Sequence, residues 1–207
     1  MSSQVFAGDT SGSVTIQCPA VAGSNVLTLP LSNGLIPGEL VYVLGTTYTG
    51  TQATTAQTLF GLTNGITLAS NTNYQCEYWY TLTKSAGTNS HSMYVTFGGT
   101  ATFNNFTSWV NYVYAATGAL PQGSASAAIG SYNGVGGIAG TGAITTAVTS
   151  YFVRGTAIIS VNAGGTFLPQ YVLSAAPGGA YTTQPGSYIK LSPLGTGSSG
   201  INIGSWS

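Results

Sequence analysis

The chain has 207 residues, enough to bury a substantial core without disulfides or metals, and only 3% of them are charged, against about 25% in an average soluble protein. Lys84, Arg154, Lys190, Asp9, Glu39 and Glu77 are the whole charged inventory, joined by a lone histidine, His91. Three cations cannot neutralise a run of phosphates, which argues against nucleic acid as a partner, and no apolar run of about 18 residues is present to cross a membrane as a helix.

The first ~10 residues read as an arm. They hold no basic region followed by an apolar stretch, so no leader is expected and the chain is read as made in a cytoplasm. Cys18 and Cys76 are then expected to be reduced. Each sits in a strand-like apolar pattern and is read as a small buried hydrophobe rather than half of a disulfide or a metal pair. Val14, Ile16 and Cys18 alternate with Thr15 and Gln17; Leu27, Leu29 and Leu31 with Thr28 and Pro30; Val41 and Val43 with Tyr42 and Leu44. This is the period of two that marks strands.

The clearest case begins at Tyr74, where Tyr74, Cys76, Tyr78, Tyr80 and Leu82 share one face and Gln75, Glu77, Trp79, Thr81 and Thr83 the other. After the turn-rich stretch 84–90, Met93, Val95 and Phe97 alternate with Ser92, Tyr94 and Thr96, and the two runs are expected to form a hairpin. A single helical turn is expected at 105–109. Residues 115–147 form a segment rich in Gly, Ala and Ser, read as short strands interrupted by a mobile loop. Further strand patterns cover 151–161, 168–174 and 188–191, separated by Gly and Pro pairs such as Gly164-Gly165, Pro177-Gly178 and Pro185-Gly186. The expectation is an all-β, antiparallel sandwich over 26–207, preceded by an arm and first strand over 1–25.

Reactive chemistry has little to work with. A paired-carboxylate mechanism would need two of Asp9, Glu39 and Glu77, which lie in the arm, after the Pro37-Gly38 turn and on a strand face. A serine triad would have to use His91, beside a turn, and no nucleophile elbow precedes a helix. Zinc and calcium ligand clusters, phosphate loops and dinucleotide fingerprints are absent from the sequence, so neither an enzyme nor a cofactor is expected. The aromatic residues remain. Phe103, Phe106, Trp109, Tyr112 and Tyr114 cluster after the second of these strands, as core packing or as a subunit interface or sugar-stacking surface.

Three segments carry a family resemblance. Residues 11–30, with Ala20-Val21-Ala22-Gly23-Ser24-Asn25 and the ending Thr28-Leu29-Pro30, are similar to a repeat of phage tail fibres and other virion appendages. Residues 68–103, with Phe97-Gly98-Gly99-Thr100, and the stretches 161–181 and 186–195 resemble jelly-roll modules of structural proteins from aquatic tailed bacteriophages. The resemblance implies a jelly-roll-like fold, a homotrimer, and a virion location after synthesis in the bacterial host. It leaves two roles open: a capsid decoration or cement protein held on the major capsid protein or another virion protein, or a tail or head fibre knob binding a host-surface glycan. In the first role the arm, with Val5, Phe6 and Asp9, is the expected capsid contact.

Overall fold

The computed structural model describes residues 3–7, 13–17, 39–115, 126–133 and 143–196. The expected break near residue 25 and the strand at 27–31 lie outside the described residues, as do Asp9 and Cys18. Two units are distinguished. In the first, β1 (Ser3–Ala7) and β2 (Ser13–Gln17) pair antiparallel, Val5 opposite Thr15. Residues 3–7, read from the sequence as part of an arm, are thus a strand in their own right.

The second unit carries the remaining strands, in chain order β3 (Leu40–Val43), β4 (Tyr48–Thr49), β5 (Gln57–Thr58), β6 (Ile66–Leu68), β7 (Thr72–Lys84), β8 (Met93–Gly98) and β9 (Thr102–Ala115). They continue with β10 (Ser126–Asn133), β11 (Thr149–Ala163), β12 (Gly165–Leu173), β13 (Thr182–Thr183) and β14 (Tyr188–Thr196). The large sheet runs β10-β9-β11-β7; β14 and β13 then pair with β7, and β3 and β4 pair with these in turn. The smaller sheet centres on β12, paired with β8, β5 and β6. Every ladder is antiparallel, no described residue is helical, and the two sheets make an all-β sandwich.

The period-two reading of β7 holds along its length: Tyr74, Cys76, Tyr78, Tyr80 and Leu82 are buried, while Gln75 and Trp79 are exposed. Full burial of an apolar side chain such as Leu82 contributes about 1.5–3 kcal/mol, and the run of five buried side chains makes this strand the spine of the core. Burial pushes the Cys76 thiol up, so it is an inert apolar filler.

The expected hairpin between β7 and β8 does not form. Both edges of β7 are taken, one by β11 and the other by β14 and β13, so no edge is left for β8, which pairs with β12 instead. The two strands meet face to face: the Tyr78 and Phe97 rings approach edge-on at 5.4 Å between the sheets. The helical turn expected at 105–109 is likewise absent, because these residues lie inside β9. A bulge explains their pattern. Ser160 pairs with Asn105 but Val161 with Phe103, so Asn104 is an extra residue and the alternation reverses. Phe103 and Phe106 therefore both turn towards the core, where they meet Phe167 and, through Phe106, Phe97. Within 115–147, residues 126–133 form β10, the outer strand beside β9.

Candidate functional site

The outer face of the large sheet gathers the polar chemistry of the chain. Strand alternation turns Glu77 and Trp79 of β7, Arg154 and Ile158 of β11, Tyr188 and Lys190 of β14, and Trp109 of β9 away from the core. Register then sets them in rows. One runs Val43, Tyr188, Trp79, Arg154, Asn111; the next runs Val41, Lys190, Glu77, Thr156, Trp109. Trp79 is 46% exposed, Trp109 53% and Ile158 50%. An antiparallel sheet that faces water normally carries small polar groups there, so indoles on this face need a reason.

Neighbouring side chains order the face. Lys190 Nζ lies 2.7 Å from Glu39 Oε1, which also accepts from Ser192 Oγ at 3.2 Å. The lysine hydrogen bond holds the Glu39 carboxyl below its usual range and raises the Lys190 ammonium in turn. Tyr188 donates its hydroxyl to Glu77 Oε1 at 2.7 Å, and that bond, with some burial, pushes the phenol up. The Arg154 guanidinium lies over the Trp79 ring, 5.6 Å from its centroid. Glu39, Glu77, Lys190, Gln75 and Ser192 line a depression of about 190 Å³. Beside it lie one of about 280 Å³ around Trp109 and Ile158 and one of about 310 Å³ between Trp79 and Tyr188.

Nothing in sequence spacing placed two carboxylates together, yet Glu39 and Glu77 share that first depression with Lys190. Glu39 is not placed to serve as a general acid there. A general acid needs a carboxyl raised towards neutrality, and Glu39 is exposed and shifted the other way.

The aromatic cluster read from the sequence is divided by the fold. Phe106 and Tyr112 are buried, Phe103 packs against the core, and Trp109 points outwards. The side chains of Tyr114, Val5 and Phe6 lie outside the described residues, as does Asp9. The sequence passed over Trp79, Tyr188 and Arg154. The alternation of β7 already placed Trp79 and Glu77 on the polar face, but nothing local could say which residues would flank them.

His91 is a buried structural histidine. Its Nδ1 lies 2.7 Å from the Asn89 carbonyl and its Nε2 2.7 Å from the Tyr181 hydroxyl, so the neutral ring donates to Asn89 and accepts from Tyr181. Lys84, also buried, donates to the carbonyls of Gly87 at 2.6 Å and Thr146 at 2.7 Å, which ties the 84–91 connection to the segment before β11. Burial lowers the His91 pKa below its ordinary 6.5; the Asn89 bond opposes this and the Lys84 charge adds to it. Above the ordinary value both folded and unfolded chains hold a neutral ring. As pH falls below it the unfolded chain takes up the proton first, and stability falls until the folded pKa is passed. Urea unfolding between about pH 7.5 and 5 should show this loss, and in His91→Gln that part of the slope should vanish.

Among the described residues no three His, Cys, Asp or Glu side chains group to hold a metal. No protein-family model matches the chain, and no curated protein matches it.

Proposed function

We propose that the chain is a structural protein of a bacteriophage virion, a trimeric capsid decoration or cement subunit that stabilises the head. The observation that carries this reading is the distribution of charge. Among the described residues Glu39, Glu77, Arg154 and Lys190 share the outer face of the large sheet, and Lys84 is buried. The smaller sheet and the β10 edge of the large sheet therefore present no charged side chain among these residues. Such flanks can pack against copies of the chain without stripping water from ions. The large sheet also ends at β10, eight residues with neither a charge nor a proline, whose far edge pairs with no described strand. An edge of this kind favours burial in an assembly.

A second role, the fibre or knob that binds a host-surface receptor, is favoured by the exposed indoles of the outer face. Light scattering of the purified chain and quantitative mass spectrometry of virions separate the outcomes. The decoration reading expects a trimer in solution and hundreds of copies per particle. A monomer, or a handful of copies at the tail, would overturn it. Deleting residues 1–25 should abolish attachment to the capsid while leaving the trimer folded; a trimmed protein that still coats particles would remove the arm from the mechanism.

A further inference from the structure

The three depressions adjoin one another on the outer face. Gln75 lines the first two, and the Tyr188–Glu77 hydrogen bond joins the first to the third. We infer that this strip binds a neutral oligosaccharide, with pyranose rings laid against the indoles of Trp79 and Trp109 and hydroxyls bonded by Glu77, Gln75 and Arg154.

The chemistry of the strip selects a polyol. Sugar rings present a C–H-rich face that matches the negative face of an aromatic ring, and both indoles are about half exposed with no core function to explain them, Trp79 with Arg154 over one face of its ring. Hydrogen-bonding capacity remains beside them. The Arg154 guanidinium and the Gln75 amide have no hydrogen-bond partner among the described residues. Glu77 and Glu39 each engage Oε1 and keep Oε2 unpaired among the described residues. A ligand that fits must therefore both donate and accept at closely spaced points, as vicinal hydroxyls do.

Two cations and two carboxylates give the face no net charge, so no long-range attraction favours an anion over a neutral ligand. Trp79 on β7 and Trp109 on β9 flank β11 and are offset by two residues, Arg154 facing Trp79 and Thr156 facing Trp109. Strand geometry then sets the Cα atoms of the two tryptophans about 12 Å apart, roughly the span of two to three linked pyranoses. The open face suits a chain laid across it rather than a small molecule enclosed in a cavity.

The inference does not depend on where the chain sits in a virion; it needs only this face to be open. Its test uses the intact protein on an array of neutral and anionic oligosaccharides, followed by calorimetric titration of each neutral hit of four to six units. The expected result is binding to a neutral oligosaccharide, weakened about tenfold or more in Trp79→Ala and again in Trp109→Ala. Tyr94→Ala, which removes an exposed aromatic from β8 of the smaller sheet, should leave the affinity unchanged. Urea midpoints of the variants, compared with the parent, separate lost binding from lost folding. The absence of any neutral ligand at millimolar concentration would overturn the inference. So would binding confined to anionic glycans and abolished by salt, or a neutral ligand whose affinity survives the double Trp variant. Copy number on the virion is not read by this assay, so this inference and the decoration reading can fail separately.

Discussion

Gly155→Val should unfold the chain or cost at least about 3–5 kcal/mol in urea titration, one of the largest single-residue effects expected here. Gly155 lies in the middle of β11, directly opposite Tyr78 on β7 and Val110 on β9, and faces the core. The Tyr78 ring covers the glycine so closely that a Cβ would fall among its Cζ, Oη and Cε2 atoms. The ring cannot easily yield. It stacks on Tyr80 at 5.7 Å, meets Phe97 edge-on at 5.4 Å, and its hydroxyl pairs with Ser108 Oγ at 2.9 Å. Displacing it would overpack the space between the sheets and break the buried Tyr78–Ser108 hydrogen bond, leaving Ser108 only its bond to the Thr156 carbonyl. The backbone here is ordinary extended strand, so the requirement is for space. Gly45→Ala, with open space at its Cβ, is the matched control and should change stability by less than about 0.5 kcal/mol. Combining Gly155→Ala with Tyr78→Val should cost less than the sum of the two single changes, because one clash and one ring are removed together.

Phe167→Ala should cost about 3–5 kcal/mol, or roughly 6–20 °C in melting temperature for a chain of this size. Phe167 is fully buried on β12, the central strand of the smaller sheet. It stacks on Phe97 at 5.1 Å with 9° between the rings, and meets Phe103 and Phe106 at 5.9 Å each. Phe103 and Phe106 belong to the large sheet, so this one side chain joins β8 and β12 to β9. Truncating it leaves a cavity lined by rings already held by other contacts, with little room to collapse. Tyr94→Ala, one strand away but exposed, should cost far less. Both measurements belong at one fixed protein concentration, since an assembled chain has a stability that depends on it.

In the proposed assembly the sandwich would hold the outer face of the large sheet in register, and its uncharged flanks would let copies pack together without burying ions. Glu39, Glu77, Arg154 and Lys190 are then available on the face left open, beside the two indoles. In a decoration trimer that face would be presented three times over, so weak binding to a sugar at each copy would be strengthened by multivalency.

The strands themselves were legible from residue order. The buried tyrosines of β7, the Met93, Val95 and Phe97 face of β8 and the pattern of β11 follow from a period of two, because a side chain's face in a strand is a local property. Partners are not local. Period two says which residues of β7 and β8 point inwards but not whether the strands lie edge to edge or face to face, and the expected hairpin failed on that ambiguity. The bulge at Asn104 could not be read either, since an extra residue shows only against the partner strand. It is this bulge that sends Phe103 and Phe106 inwards together. The outer face depended most on the fold. Glu39 and Ser192 are 153 positions apart, and they meet only because β3 closes on β14, beside β7. Composition alone showed a chain nearly empty of charge; the side-by-side order of β3, β14, β7, β11 and β9 decided that most of what charge there is would stand on one face, beside two exposed tryptophans.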